Sequence, residues 1–314
     1  MDDDGVRAAV RAKRDLVASS PGTRPERDAR FSRLRRGIYV DAAVADDADR
    51  RAAYRLRIRA VHVARTRPIF ARESALAEYD IPYGLEPPAV YTTGSRSTAK
   101  KKAGVVHAPA ILDKTDVVSV GGLQVCSVAY ALAEFARRSR AVDAVAAIDN
   151  ALHRRLVTKE ELFEALARQS PRGRAQGAWA IEFADARAES VGESWSRVRV
   201  FELGFAAPEL QVRVTGPTGN RWRVDMRFNR PGRRPVYGEF DGKQKYGELA
   251  AQQGRRGTDA LMQEKARDDE LLFTGDPAHW VWDDVLHPER LERILTAYGI
   301  PRVRGPFAET QPAA

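Results

Sequence analysis

The chain has 314 residues, of which 43% are hydrophobic and 30% charged, with 52 Lys+Arg against 43 Asp+Glu and a net charge of +9. This is enough apolar material for about two packed domains and a smaller piece, and it excludes a globally disordered chain. The single cysteine, Cys126, excludes an internal disulfide and a cysteine-based zinc cluster, and no apolar run approaches the length of a membrane-spanning helix. The acidic start Met1-Asp2-Asp3-Asp4 has no apolar secretory core, so a cytoplasmic protein without membrane contact is expected.

Residues 1–50 are rich in Arg, Asp and Ala. A helix is expected from Arg7 to Val17. Arg33-Leu34-Arg35-Arg36-Gly37-Ile38-Tyr39-Val40 follows, in which Gly37 is a turn residue and Ile38–Val40 a short strand. The reading is a small basic β-wing, with Arg33, Arg35 and Arg36 as candidate contacts to nucleic acid. Residues 51–170 form an α/β middle domain. Helical residues up to Tyr79 precede short β-branched runs at Val90–Thr93, Gly104–His107 and Asp116–Val120, with a basic loop, Lys100-Lys101-Lys102, between two of them. Helices then follow at Val128–Arg138 and Val142–Arg154, and Thr158-Lys159-Glu160-Glu161 is a capping-box start for a third.

Ser170-Pro171-Arg172-Gly173 opens a linker over 171–184, the expected boundary of a third domain at 185–303, with 304–314 as a tail. Helix is expected from about Trp179 through Glu193 to Leu203. A three-stranded meander comes next: Leu210–Val214, Arg221–Phe228 and Val236–Asp241, separated by turns at Gly216-Pro217-Thr218-Gly219 and Pro231-Gly232. A helix over Asp259–Phe273, a fourth strand at Trp280-Val281-Trp282 and a closing helix over Pro288–Tyr298 complete the chain. Asp276-Pro277-Ala278-His279 reads as an interruption ahead of that fourth strand. The fold class is therefore α/β, ending in a mixed sheet flanked by helices.

The third meander strand carries the chemistry. In extended chain alternate side chains share a face, so Tyr237, Glu239, Asp241 and Lys243 point one way, and Arg223, Asp225 and Arg227 share one face of the neighbouring strand. If the strands pair, Asp225 meets Glu239 and Asp241. Carboxylates so close disfavour joint ionisation, and a divalent cation with oxygen ligands, Mg²⁺ or Mn²⁺, removes the conflict. Asp225, Glu239 and Asp241 are the candidate metal ligands, with Glu193 on the preceding helix as a fourth. A metal held there activates water and neutralises a phosphoryl group, and Lys243 orients the attacking water or steadies the phosphorus. Asp225, Glu239, Asp241 and Lys243 are thus the candidate catalytic set. Arg221, Arg223 and Arg227, with Lys245 beyond the strand and Lys265 and Arg267 on the next helix, are candidate phosphate contacts.

At these residues, over about 185–300, the chain resembles the PD-(D/E)XK superfamily, in particular its very-short-patch-repair-like branch. The resemblance lies in Glu193 within a helix, Val224-Asp225-Met226, Gly238-Glu239-Phe240-Asp241-Gly242 and the helical run Glu264-Lys265-Ala266-Arg267-Asp268. It implies a restriction-endonuclease-like fold and metal-dependent cleavage of DNA. The motif parses either as Glu239-x-Asp241 or as Asp241-x-Lys243, and Lys245-Tyr246 stands where that branch often has a histidine. The earlier region is similar to AbiEi-type antitoxins, carried by Arg33–Val40, Glu73-Ser74-Ala75-Leu76, Val117–Val125 and Leu152–Thr158. That likeness implies a winged-helix DNA-binding head and a cognate toxin protein as partner. Two functions follow, a metal-dependent DNA endonuclease and a non-catalytic DNA-binding regulator or antitoxin.

Overall fold

The computed structural model describes the backbone of residues 10–95, 99–242 and 255–303, and the side chains of the same residues except 255–264. Lys243, Lys245 and the side chain of Glu264 lie outside the described residues. The chain is α/β, and its Cα packing divides it into two units, Met1–Ser139 with Leu156–Ile181, and Arg140–Arg155 with Glu182–Ala314.

The first unit starts with a three-stranded antiparallel sheet, β1 (Arg11–Ala12), β2 (Phe31–Arg35) and β3 (Ile38–Asp41), in the order β1-β3-β2. Of the helix expected over Arg7–Val17, residues 7–9 lie outside the described residues; Arg11 and Ala12 pair with β3 instead, and helix α1 spans Lys13–Ser19. Gly37 turns the β2–β3 hairpin at φ +74°, where a side chain would be strained. Asp41 and Asp49 each accept a backbone N–H, from Ala43 at 3.0 Å and Ala52 at 2.8 Å, and so cap α2 (Ala42–Asp46) and α3 (Arg50–Ala64). Leu56 and Ala60 of α3 pack on Val10, Ala12, Ile38 and Val40. The basic hairpin therefore shares a core with the helix after it.

The rest of this unit is a six-stranded mixed sheet with order β6-β7-β5-β4-β9-β8. Its strands are β4 (Ile69–Phe70), β5 (Val90–Gly94), β6 (Lys100–Lys102), β7 (Val105–Pro109), β8 (Val117–Val120) and β9 (Leu123–Cys126). The lysine run expected as a loop is strand β6, paired antiparallel with β7, while β5 and β7 run parallel. Helices α4 (Arg72–Glu78), α5 (Val128–Ala136) and α7 (Lys159–Arg168) belong to the same unit; α7 starts at the expected capping box, with Glu161 N donating to Thr158 Oγ1 at 3.2 Å and Thr158 N donating to Glu161 Oε2 at 2.8 Å. Cys126 is fully buried at the end of β9, and burial pushes its thiol well up, which keeps it in the unreactive protonated form.

Residues 171–184, expected as a linker, carry helix α8 (Arg174–Phe183). The expected single helix from Trp179 to Leu203 is two, because the chain leaves helical geometry after Phe183 and restarts at α9 (Val191–Glu202), capped by Ser190. In the second unit α9 packs on α6 (Ala141–His153) through a buried ion pair, Arg197 NH1 to Asp149 Oδ2 at 2.8 Å. Burial raises the Asp149 carboxyl to about 6 although the Arg197 charge opposes the rise. Asp149 also accepts from Asp185 N at 2.7 Å and so fixes the chain break ahead of α9.

The second sheet has order β10-β11-β12-β13, with β10 (Glu209–Thr215), β11 (Arg221–Phe228) and β12 (Val236–Asp241) forming the expected antiparallel meander. After α10 (Arg255–Thr274) the chain returns as β13 (Asp276–Val281), parallel to β12. The interruption expected at Asp276–His279 is thus part of the strand, and Trp282 begins helix α11 (Trp282–Leu286) rather than ending a strand. Pro277 is accommodated because β13 is an edge strand, where a missing N–H is tolerated. Helix α12 (Pro288–Ala297) closes the described part of the unit. Among the described residues no helix is long and apolar enough to cross a membrane.

Removing one member of a buried ion pair leaves an uncompensated charge. Asp149→Ala is therefore expected to lower stability by about 3 kcal/mol, seen in urea unfolding monitored by tryptophan fluorescence, because Arg197 would stay buried without its carboxylate. An unchanged midpoint would show that the pair is not structural.

Candidate active site on the C-terminal sheet

Two glycines and a serine set the distance between α9 and the sheet. A Cβ on Gly192 would come within 2.1 Å of the Phe240 ring, and one on Gly238 within 2.3 Å of the Trp280 ring. The missing side chains let Phe240 lie directly on α9 and Trp280 lie on β12. Trp280 is fully buried, and its indole N–H donates to Ser196 Oγ at 2.8 Å. On the same helix Glu193 sits next to Gly192, so the packing of α9 brings a carboxylate to the sheet.

Glu193 is 6% exposed. Its Oε2 accepts from Glu189 N at 3.1 Å and from Gln211 Nε2 at 3.0 Å. Gln211 holds this position with φ at +53°, an uncommon conformation for a side-chain-bearing residue in a strand. Burial, then the negative charge of Asp225, pushes the Glu193 carboxyl above its ordinary value, while the bonds from Glu189, Ser190 and Gln211 oppose the rise.

On the sheet, β11 and β12 pair Met226 with Gly238, and continuing that register by one residue sets Asp225 opposite Glu239. The parallel β12–β13 ladder sets Glu239 beside His279 and Asp241 beside Val281. His279 Nδ1 lies 3.2 Å from Asp241 Oδ2. That hydrogen bond raises the His279 pKa above its ordinary value; burial opposes it, and the charges of Asp241, Glu239 and Asp268 add to the rise. Arg267 of α10 binds Glu239 through both carboxylate oxygens, with NH1 at 3.0 Å from Oε2, and also donates to Arg223 O at 3.0 Å. Burial works against its charge, but the bond to Glu239 and the charges of Glu239, Asp268 and Asp225 outweigh it and hold the guanidinium above its usual value.

The structure thus brings Glu193, Asp225, Glu239 and Asp241 into one electrostatic neighbourhood. Arg267, expected to meet phosphate, instead neutralises Glu239. Arg223, expected in the same role, forms a two-pronged bond to Glu189 at 2.7 and 2.8 Å. Arg221 and Lys265 are exposed and Arg227 is half-buried. Nearby, Arg230 and Arg234 are taken up in structure: Arg230 bonds Arg234 O at 2.7 Å, Tyr298 O at 2.6 Å and Asp276, and Arg234 bonds Gly275 O at 2.6 Å. In the first unit Arg33 and Arg36 are exposed and Arg35 half-buried on the β2–β3 hairpin.

His279 was not expected at the site from sequence, and Asp268 entered only as part of the helical run Glu264–Asp268. A carboxylate donor set from α9, β11 and β12 has the chemistry for a hard divalent cation, and the mutual repulsion of Glu193 and Asp225 is what such a cation relieves. Among the described residues, however, no three His, Cys, Asp or Glu side chains are already gathered as a metal-holding group, and both Glu239 oxygens face Arg267.

No family model matches the chain. Two uncharacterized proteins from two strains of Mycobacterium tuberculosis are each 36% identical to it over 108 residues. The match covers 34% of this chain and 40% of each relative's length. These likenesses tie part of the chain to actinobacterial proteins and assign no activity.

The raised His279 pKa makes its bond to Asp241 a source of stability that is fully present below the free histidine value and is lost as pH rises through the folded value. Asp241→Asn should bring the His279 pKa down, measured by NMR titration of the ring protons. An unchanged value would separate the two residues electrostatically.

Proposed function

We propose that the C-terminal unit is a metal-dependent endonuclease-like domain of the PD-(D/E)XK type, hydrolysing phosphodiester bonds of DNA. The observation that carries this reading is that a helix–strand–strand–strand–helix–strand run sets four carboxylates, Glu193, Asp225, Glu239 and Asp241, in one electrostatic neighbourhood on a mixed sheet. This is the element order and acid order that the resemblance implies.

In this reading Asp225, Glu239 and Asp241, with Glu193, hold Mg²⁺ or Mn²⁺. When bound, the cation supplies an activated water and neutralises charge on the phosphoryl group. The residues of the chain do the rest. Asp241 orients the His279 ring through Nδ1, which leaves Nε2 to hold or move a proton. Arg267 balances Glu239 before the cation is present. Lys243, outside the described residues, is assigned to orienting the water, and the exposed Arg221 and Lys265 to the DNA backbone.

A second reading, a DNA-binding regulator or antitoxin acting with a toxin partner, is favoured by two observations. Glu239 is already fastened by Arg267, and the side chains of Arg33, Arg35 and Arg36 on the β2–β3 hairpin make no hydrogen bond or ion pair among the described residues. Nicking of supercoiled plasmid decides between the two. The nuclease reading expects cleavage with Mg²⁺ or Mn²⁺, none with EDTA, and a loss of roughly 100-fold or more in Asp225→Ala and in Asp241→Ala. Salt-sensitive DNA binding without cleavage, weakened by Ala at Arg33, Arg35 and Arg36 and kept in Asp225→Ala, would establish the regulator instead.

A further inference from the structure

The six-stranded sheet of the first unit contains a concavity to which neither reading assigns a role. It has a volume of about 440 Å³ and is lined by Arg65, Arg67, Lys100, Lys102 and His107 together with the threonines Thr92 and Thr93. Among the described residues its lining contains no Asp or Glu. The volume lies within the range of small-ligand sites. Arg67, Lys100 and Lys102 are exposed around this hollow, and an anion bound among them would offset their mutual repulsion.

The backbone shapes the hollow for a close-approaching anion. Strands β5 and β7 run parallel, and the hollow lies where both end, with Gly94 paired to Pro109 at that end. Gly94 has φ +141°, outside the range side-chain-bearing residues favour, and a Cβ there would reach only the His107 ring, at 4.0 Å. On the other wall the turn Thr66-Arg67-Pro68 carries Arg67 at φ +44°, a strained position that presents an exposed arginine at the rim. Hydroxyls complete the floor. Thr92 Oγ1 lies 3.2 Å from His107 Nδ1, and Thr93 Oγ1 donates to Ala108 O at 2.8 Å, which leaves the Thr93 oxygen able to accept. Lys100 and Lys102 are exposed alternate residues of β6, so they reach the hollow from the same side of that strand.

A second hollow of about 680 Å³ adjoins the first and shares Ile69, Gly94 and Ser95 with it. Its wall includes Pro109, Leu112 and Ile111, a residue 96% exposed, together with Asp113 and Lys114. A basic hollow continuing into one of mainly apolar lining suits a ligand with a phosphate at one end and a flat or apolar group at the other.

We propose that this hollow is a phosphate-binding site, separate from the carboxylate cluster, that takes the phosphate of a nucleotide-class ligand. The same chemistry is offered by a free nucleotide phosphate and by a phosphodiester of DNA.

The test uses the full chain in EDTA, so that metal at the carboxylate cluster plays no part and its failure stays distinct from failure of the nuclease reading. Binding of inorganic pyrophosphate is measured by calorimetry and binding of a short DNA duplex by fluorescence anisotropy. Four proteins are compared: wild type, Lys100→Glu with Lys102→Glu, Lys100→Gln with Lys102→Gln, and Arg14→Glu as a surface charge control on α1. The neutral pair Lys100→Gln with Lys102→Gln guards against misfolding, and thermal unfolding should be unchanged because both lysines are exposed. A saturable pyrophosphate signal, weakened about tenfold or more by the double variants and not by the control, supports the site with a free phosphate as ligand. DNA binding weakened in the double variants, with the salt slope reduced by about two and no pyrophosphate signal, supports it with a phosphodiester as ligand. The proposal is overturned if neither probe binds, or if the double variants bind both probes as the control does.

Discussion

Carboxylates gathered on adjacent strands repel each other, and the second unit is organised around relieving that repulsion. Three devices do so without a cation. Arg267 takes both oxygens of Glu239, His279 shares a hydrogen bond with Asp241, and burial holds Glu193 closer to its neutral form. Each comes from a different element, α10, β13 and α9, so the charge balance depends on the fold being complete. The raised pKa of the buried Glu193 beside these acids is a reason to look for function here, since a perturbed acid in a polar cluster is a candidate site residue.

The packing that supports the cluster uses small residues where larger ones would separate the layers. Gly192, Ser196 and Gly238 let Phe240 and Trp280 lie between α9 and the strands, and Phe240 meets Trp282 edge-on at 5.0 Å between ring centroids. The result is an aromatic wedge with a carboxylate at its margin. On the far side of α9 the buried Asp149–Arg197 pair ties the helix to α6. The helix that carries Glu193 is therefore fixed on both faces.

Much of this was legible in the sequence because it is local. Period-2 alternation gave the meander and its acidic face, Thr158 with Glu161 gave a helix start, and Gly37 gave a hairpin turn. The break before α9 was also readable, since Ser190 followed by Glu193 has the spacing of a capping signature, but helical residues on either side masked it. What escaped is non-local. Pro277 suggested a broken strand, and only the parallel register with β12 shows that Asp276–Val281 pairs throughout and sets His279 beside Glu239. Parallel partners are joined by long crossovers, so no short sequence window contains both. The grouping of α6 with the second unit rests on residues 48 positions apart, Asp149 and Arg197. Nor does a count of arginines reveal which are already engaged: Arg223, Arg230, Arg234 and Arg267 are held by acids or carbonyls, whereas Arg33 and Arg36 are not.

The parallel crossover from β12 through α10 to β13 has a mechanical consequence. Arg267 and His279, the partners of Glu239 and Asp241, lie on one continuous stretch of chain that ends in the edge strand. An edge strand is held by a ladder on one side only, here the pairing of Asp276–Val281 with β12. A displacement of this stretch would therefore strip Glu239 and Asp241 of their partners together, so the two acids would be unmasked in one event.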